Sequence, residues 1–571
     1  KILFKSMINI FISSLIGSMI VIANGYISNY LIFKKKINEF NIYKDSLLGF
    51  VLIGFIGLLI NFFLPITKNI SSIFLIISVI VFIYFFFKTE KKNNILWILT
   101  YLTVTTFIII TFSNINRPDA GLYHLPFVKI LNENKLILGL TNLHYRFGHT
   151  SIFQYISALH VNFFLKEEFL NIPLAILPGL YFLYLFKNFS DELKKKNEKN
   201  IIILFLITAF SLYSFNRFSG LGNDGPANIF FFILIIQFLI IKDINNINTE
   251  EFYRIVIISL FLLMLKPFMI FGLFIPMILL LTNKNKLKLI KDRKNIFCII
   301  FISLWFLKNI FVSGCIIFPL KQTCFENLTY SNTKIVNTAS KEAEAWAKGY
   351  PDSKIKNGFD QYNSNFNWVG TWSKNHFKKV AEKMLPLLIL ILILISFSFI
   401  GKNYYKDFRI RNIFSDKKLL YLIYFLIFYL VLWFLKFPVY RFGLPFLSTF
   451  IVVLYVFVFI TNKKKFYNKK ILNIILVSGF LIICTKNINR IVSKLDHDYY
   501  NAPWPAIYSM NENENKIKNF KKIYDENNNF LYFYSSGTEC MYTSSPCSNY
   551  PHENIKKTTR YGYQIFFYEK S

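Results

Sequence analysis

Two aspartates stand where long apolar runs of the chain give way to polar residues. Asp119 follows one run in NRPDAGLYH, and Asp224 lies in FSGLGNDGPANIFFF, just before another. A carboxylate at such a boundary can remove a proton from a hydroxyl or amine, because it reaches water beside a medium of low dielectric constant. Each aspartate could instead cap the helix that follows and satisfy its free amides. We predict that both are catalytic, with Asp119 as the general base.

Basic side chains interrupt apolar sequence at three further places. Lys266 lies in LFLLMLKPFMIFGLF with no carboxylate nearby in sequence, Arg441 in LKFPVYRFGLPFLS, and Arg146 beside His144 in LHYRFGHT. A cation in such surroundings is costly and seldom incidental, although a long side chain can also extend to the membrane interface. Arginine forks bind phosphate oxygens in pairs, and lysine adds a point charge. We predict that these residues and His124 bind a phosphate.

Asp119 and Asp224 could also share a divalent cation such as Mg²⁺, Mn²⁺ or Zn²⁺, with water and a substrate phosphate completing its shell. The chain has no P-loop, no G-x-S-x-G and no G-x-G-x-x-G after a strand. Neither ATP-driven transport nor hydrolase chemistry of the soluble type is therefore indicated.

The composition indicates a polytopic membrane protein. Only 17% of the residues are charged, against about a quarter in soluble proteins, and mostly apolar runs long enough to cross a bilayer recur. The net charge of +33 could suggest a nucleic-acid partner, but Lys and Arg cluster in short loops such as KNKLKLIKDRK. Cytoplasmic loops beside anionic lipid have this pattern. We therefore expect membrane lipids, and no nucleic acid, as partners.

The apolar runs predict an all-α bundle of about fourteen transmembrane helices. The predicted spans are 7–33, 47–67, 70–87, 95–113, 167–187, 200–214, 226–242, 254–266, 267–282, 295–313, 384–401, 418–436, 441–461 and 470–486. A hairpin that turns at Lys266-Pro267 places every basic loop on the cytoplasmic face, and proline favours the break.

We divide the chain into N-terminal helices (1–94), a catalytic region (95–486) and an extracytoplasmic C-terminal domain of α/β or β type (487–571). The catalytic region contains two long external loops, 114–166 and 314–383. In the first, SIFQYISALHVNFFL predicts an amphipathic helix along the membrane surface. In the second, KEAEAWAKG predicts another helix. The C-terminal domain alternates polar and aromatic residues, which predicts a few strands.

Two pairs of cysteines lie close together in polar segments, Cys315 with Cys324 and Cys540 with Cys547. Such spacing suggests disulfides, which need an oxidising compartment. The predicted topology places both pairs on the face opposite the basic loops. Cysteines and basic loops therefore agree that the candidate site faces the exterior.

The order of these motifs resembles the GT-C fold of membrane glycosyltransferases, such as protein mannosyltransferases, the lipid A aminoarabinose transferase and the catalytic subunits of oligosaccharyltransferase. Those enzymes carry a catalytic aspartate in the first large external loop, matched here by Asp119, and a second acidic motif two spans later, matched by Asp224. A K-P element in a following hairpin resembles Lys266-Pro267. An arginine near a late external loop resembles Arg441, with Pro445 nearby.

The segments NRPDAGLYHLPFVKILNE, GLTNLHYRFG and KNIFVSGCIIFPL are also similar to a family of uncharacterised bacterial multi-spanning proteins. The resemblance covers most of residues 95–460. Two features depart from the known enzymes: three spans, not one, precede the span leading to Asp119, and the acidic motifs are single aspartates.

The resemblance implies a GT-C glycosyltransferase of the bacterial inner membrane whose active site faces the periplasm or exterior. The donor would be a polyprenyl-phosphate sugar, and the acceptor a cell-envelope glycan, lipid or protein. A polysaccharide polymerase or ligase of another fold, and a flippase or transporter of lipid-linked glycans, remain alternatives.

Overall fold

The computed structural model describes most of the chain. The described residues are 2–112, 119–165, 170–214, 221–350, 358–400, 416–460, 481, 484–486, 488–489, 520–536, 539–552 and 554–569. Most of the predicted span 470–486 lies outside them, as do residues 114–118 and 215–220 of the predicted external loops.

The described part of the chain is mainly helical. Its α-helices are α1 (Ile2–Phe33), α2 (Ile42–Asp45), α3 (Leu47–Phe63), α4 (Lys68–Lys88), α5 (Lys92–Phe112), α6 (Leu125–Glu133), α7 (Ile152–Leu159), α8 (Ile172–Lys195), α9 (Glu198–Ser214), α10 (Asp224–Ile240), α11 (Thr249–Leu265), α12 (Phe274–Thr282), α13 (Lys286–Ile290), α14 (Lys294–Ser313), α15 (Thr333–Ala347), α16 (Gly358–Asn363), α17 (Val369–Trp372), α18 (Lys378–Ile400), α19 (Lys417–Lys436) and α20 (Tyr440–Tyr455).

Eight helices within the described ranges are long and apolar enough to cross a membrane. They are Met7–Phe33, Ile42–Phe63, Lys68–Lys88, Lys92–Ile110, Ile172–Lys195, Lys294–Ser313, Lys417–Lys436 and Tyr440–Ile460. Two shorter apolar helices are Asp224–Ile240 and Pro267–Thr282. The chain is therefore a polytopic membrane protein by its helices, and the total of about fourteen spans stays a prediction.

Helices α11 and α12 form the predicted hairpin. The helical hydrogen bonding of α11 ends at Lys266, whose backbone is extended, and a 3₁₀ segment begins at Pro267. Just after α12, the Lys284 amide donates to the carbonyl of Asn245, shortly before α11 begins (2.9 Å). The chain thus returns to the end of the bundle from which α11 started. The predicted reversal at Lys266-Pro267 is confirmed.

Helix α7 corrects the prediction of a surface helix. All eight of its residues are buried, and it packs against α3 and α6. The polar residues that suggested a water-facing side, Gln154 and His160, each have a hydrogen-bond partner inside the protein. Gln154 Nε2 lies 3.1 Å from His124 Nδ1, and His160 Nδ1 lies 2.8 Å from the carbonyl oxygen of Ile156. The helical part of SIFQYISALHVNFFL, Ile152–Leu159, was therefore wrongly assigned to the membrane surface: it is buried, and it contacts His124 through Gln154.

The C-terminal region contains the predicted strands. They are β1 (Phe520–Tyr524), β2 (Phe530–Ser535), β3 (Cys547–Ser548), β4 (Ile555–Arg560) and β5 (Tyr563–Tyr568). Strand β2 pairs antiparallel with β1 and parallel with β3, and β4 and β5 form an antiparallel hairpin.

These strands dock on the segment that follows Asp119. The Leu138 amide donates to the carbonyl of Gln564, and the Phe566 amide donates to the carbonyl of Leu138, both at 2.9 Å. The side chain of Asn142 donates to the carbonyl of Phe566 at 2.8 Å. Backbone bonds of this kind fix register as well as proximity. The C-terminal strands therefore pack on the segment that joins Asp119 to Arg146.

The described part of the long segment after α14 contains a further helix, which contacts Tyr145 through Glu342. Helix α15 (Thr333–Ala347) contains KEAEAWA, the first seven residues of KEAEAWAKG, and confirms the predicted helix. Disulfides join Cys315 to Cys324 and Cys540 to Cys547, the two pairs that the sequence singles out.

A buried ion pair ties three helices together at the opposite end of the bundle. Arg254 of α11 lies 2.6 Å from Asp45 of α2, and both side chains are at most 2% exposed. The Arg254 guanidinium also donates to Asn29 Oδ1 of α1 at 2.9 Å. The two charges thus compensate one another inside the helix bundle.

Candidate functional site

Asp224 is paired with two cations that come from distant parts of the chain. Lys266 Nζ lies 2.6 Å from Asp224 Oδ1, and Arg441 Nη1 lies 3.3 Å from Asp224 Oδ2. Lys266 follows α11, and Arg441 lies in the first turn of α20. The residue before α10 is Asn223, and its side chain makes no capping hydrogen bond. Asp224 therefore serves as a counter-ion, and Lys266 has the carboxylate partner that its sequence neighbourhood lacks.

The side chains of Asp224, Lys266 and Arg441 are only partly buried. The exposed fractions are 14% for the Lys266 side chain, 28% for Asp224 and 30% for Arg441. Among the described residues, a Cβ added to Gly222 or Gly225 would meet nothing within 4 Å, so space lies open beside Asp224. One carboxylate between two cations leaves a single net positive charge, which suits a singly charged anion.

Asp119 forms a second ion pair, with Arg146. Arg146 Nη1 lies 2.9 Å from Asp119 Oδ1, and the Asp119 side chain makes no helix-capping bond. Arg146 Nε donates to the Tyr145 hydroxyl at 3.2 Å, and that hydroxyl donates to Glu342 Oε1 of α15 at 2.8 Å. The base predicted from the sequence is therefore connected, through three side chains, to the helix of the long second loop.

The two ion-paired groups adjoin one another at Tyr123. Burial raises the pKa of Tyr123, and the charges of Asp119, Arg146, Asp224 and Arg441 all act on its hydroxyl. The Arg146 guanidinium carbon lies 5.4 Å from the Tyr123 ring centroid, and charges interact appreciably only over short distances in a partly solvated protein. Asp119 and the Asp224 group therefore belong to one region of the molecule.

His149 links the same two groups from another side. Burial, together with the positive charges of Arg146 and Lys266, lowers its pKa to about 4. The carbonyl of His149 accepts a hydrogen bond from Asn223 Nδ2 at 3.3 Å, next to Asp224. The segment Tyr145–His149 thus spans the distance between the two aspartates.

The predicted phosphate-binding histidines are buried and neutral at neutral pH. Burial lowers the pKa of His124 to about 4 and that of His144 to about 3. His144 Nδ1 accepts from the Arg146 amide at 3.1 Å, and the His144 ring lies 5.0 Å from that of Tyr550. These two rings can orient their neighbours, but they add no positive charge for a phosphate at pH 7.

The donor set does not fit a divalent cation. Asp119 is paired with Arg146, and Asp224 with Lys266 and Arg441, so positive charge already stands where a metal would bind. A further cation would be repelled. Within the described ranges, no group of three or more His, Cys, Asp or Glu side chains could hold a metal ion.

Two residues near the site escaped the sequence-based reasoning. Lys308 of α14 is fully buried, with Nζ 2.7 Å from Thr150 Oγ1 and 3.8 Å from the Trp305 ring centroid. A lone lysine in the apolar run FLKNIFVS was the available signal. Glu539, in the C-terminal region, lies against Gly121, and no local pattern marks it.

The chain belongs to a family described as a domain of unknown function (DUF8201), which matches residues 7–448. The matched range includes Asp119, Asp224, Lys266 and Arg441, and it ends before the C-terminal strands. No curated protein and no solved structure matches the chain.

Proposed function

We propose that this protein is a membrane glycosyltransferase of the GT-C type. It would transfer a sugar from a polyprenyl-phosphate donor to a hydroxyl or amine of a cell-envelope glycan, lipid or protein. One observation carries the proposal: Lys266 and Arg441 meet on Asp224, beside the Asp119–Arg146 pair, at one end of a membrane helix bundle. Such a reaction needs positive charge to stabilise the leaving phosphate and a base to accept the proton of the acceptor.

Lys266 and Arg441 would bind the phosphate of the donor. In the absence of donor, Asp224 neutralises part of their charge and holds both side chains in place. A phosphate anion would compete with Asp224 for them, and the arginine fork can engage two phosphate oxygens at once. Both cations would then stabilise the negative charge that develops on the leaving phosphate.

Asp119 would act on the acceptor. The acceptor oxygen forms a bond to the anomeric carbon as the bond from that carbon to the phosphate oxygen breaks. The electron pair leaves with the phosphate, and the proton of the acceptor passes to Asp119. Arg146 keeps the carboxylate oriented, and direct displacement inverts the anomeric configuration.

The remaining parts of the proposal concern the membrane. We infer about fourteen spans in a GT-C-like bundle, with the site at the extracytoplasmic face of a bacterial inner membrane. The placement of the basic loops and the resemblance in sequence support this orientation, and so do the two disulfides. Helix α15, linked to Arg146 through Glu342 and Tyr145, would cover the site.

The test uses the full chain in lipid nanodiscs with undecaprenyl phosphate carrying a radiolabelled hexose or pentose, and a cell-envelope extract as acceptor. We expect label to move to the acceptor, and Asp119→Asn to lower the rate by about 10²–10⁴ because the proton acceptor is lost. Asp360→Asn is the matched control, since Asp360 is an exposed carboxylate on α16 paired with Lys341. Binding of the lipid without any transfer would indicate a lipid carrier and contradict the proposal.

A further inference from the structure

Glu539 of the C-terminal region lies beside the segment that carries Asp119. A Cβ added to Gly121, two residues after Asp119, would overlap Glu539 Oε2 and Met541 Sδ. The Met541 amide donates to the carbonyl of Gly121 at 2.8 Å. Glycine at position 121 therefore leaves room for the Glu539 carboxyl, two residues along the chain from Asp119.

Several bonds hold the Glu539 segment on α6, the helix that follows Asp119. The Tyr542 hydroxyl donates to Asn132 Oδ1 at 2.9 Å, and the Ser545 hydroxyl donates to Glu133 Oε2 at 2.8 Å. The disulfide between Cys540 and Cys547 closes this short segment on itself. The segment that carries Glu539 is thus held in place by hydrogen bonds to Asn132 and Glu133 and by its own disulfide.

Glu539 is only partly buried, and none of the ion pairs among the described residues includes it. Burial raises the pKa of its carboxyl, and the negative charge of Asp119 raises it further. The two carboxyls therefore interact, and only Asp119 has a guanidinium beside it. A carboxyl without a cation next to one with a cation can hold a proton that the other releases.

We propose that Glu539 is a second catalytic carboxyl, which binds the acceptor hydroxyl together with Asp119 and shares the proton that this hydroxyl releases. This inference rests on the proposed glycosyl transfer and adds a residue from outside the matched family range. As the acceptor oxygen bonds to the anomeric carbon, the phosphate leaves with its electron pair and the proton stays on the Asp119–Glu539 pair. Water then takes the proton from the pair.

The central comparison is Glu539→Gln against Glu133→Gln in the same nanodisc transfer assay. Glu133 is also a carboxylate at this contact, where it accepts hydrogen bonds from Ser545, and the amide oxygen of a glutamine at this position can accept the same bonds. We expect Glu539→Gln to lower the transfer rate by about 10²-fold, as for other groups that handle a proton, and Glu133→Gln to leave it nearly unchanged. Glu539→Asp should recover part of the loss.

The pH profile separates a proton-sharing role from a structural one. With Glu539 present, activity falls as acidification protonates the carboxyl of raised pKa. Glu539→Gln removes this group, so the acid limb of kcat/KM should move to lower pH. Gly121→Ala should displace the carboxyl, lower the rate in the wild-type background and add little to Glu539→Gln, because both changes act on one contact.

The outcomes distinguish this inference from the proposed function. If the wild type transfers sugar while Glu539→Gln keeps its rate and its acid limb, this inference is wrong and the proposed function stands. If the folded wild type transfers no sugar from undecaprenyl-phosphate donors, the proposed function is wrong and this inference falls with it. Equal losses in Glu539→Gln and Glu133→Gln, with an unmoved acid limb, would indicate a purely structural contact.

Discussion

Replacement of Asp224 by Asn should separate two effects of its carboxylate. The change leaves Lys266 and Arg441 side by side without their shared counter-charge. Breaking a fully buried ion pair costs about 3–5 kcal/mol, whereas an exposed pair contributes about 0–1 kcal/mol. The Lys266 and Asp224 side chains are 14% and 28% exposed, between these limits. We therefore expect a loss of about 2 kcal/mol in the stability of the ligand-free protein.

The matched control is Asp360→Asn. Asp360 lies 2.6 Å from Lys341, the same separation as Asp224 from Lys266, but its side chain is 73% exposed. The same chemical change at the same distance should therefore cost at most about 1 kcal/mol. Burial and the second cation, Arg441, would account for the difference in stability, because the distance to the lysine is the same. Thermal unfolding of the two variants in detergent, followed by circular dichroism, makes the comparison.

The same variant should bind a lipid phosphate more tightly. Asp224→Asn raises the net charge of the group by one unit and removes the carboxylate that competes with phosphate. A gain of about 1.4 kcal/mol would appear as tenfold tighter binding. Undecaprenyl phosphate should consequently raise the melting temperature of Asp224→Asn more than that of the wild type. Equal destabilisation of both aspartate variants, or weaker binding of undecaprenyl phosphate by Asp224→Asn, would refute this reasoning.

Two further predictions concern stability. Asp45→Asn should cost at most about 3–5 kcal/mol, because Arg254 loses its buried partner and keeps the half-buried Glu250, 3.0 Å from Nε. A reverse-charge exchange, Asp45→Arg with Arg254→Asp, should recover part of the loss in thermal unfolding, and failure of any rescue would argue against a direct pair. Acidification below pH 6.5 should also destabilise the fold. The folded pKa values of His124 and His144 are lowered to about 4 and about 3, so the unfolded state binds protons first. Each ring then costs about 1.4 kcal/mol per pH unit until its folded pKa is reached. His124→Gln should flatten this decline, and an unchanged slope would contradict the assignment.

The sequence identified the charged residues of the candidate site but not their partners. Asp119, Asp224, Lys266 and Arg441 stand out because a charge beside an apolar run is costly wherever it occurs. Their pairing depends on how distant helices pack. Nothing local assigns Lys266 to Asp224 rather than to Asp119.

Helix α7 and Glu539 show two features that short sequence patterns cannot predict. A glutamine in an apolar run suggests that this side of the helix faces water. The same sequence results when the glutamine has a buried partner, as Gln154 has in the ring of His124. The prediction that α7 lies on the membrane surface was thus wrong because the sequence does not show that His124 is the partner of Gln154. Glu539 contacts Gly121 only because the C-terminal strands pack against the segment that follows Asp119 in sequence. Contacts of such long sequence separation leave no periodicity to detect.

The docking of the C-terminal strands also has a consequence for biogenesis. Residues 539–566, which contact Gly121, Asn132 and Leu138, are synthesised after every helix from α1 to α20. The membrane helices can therefore be inserted before the residues that contact the Asp119 segment, such as Glu539 and Met541, have been synthesised. The proposed activity would begin only when these strands have folded back and the disulfide between Cys540 and Cys547 has closed. Maturation of the site would thus depend on oxidation of these two cysteines.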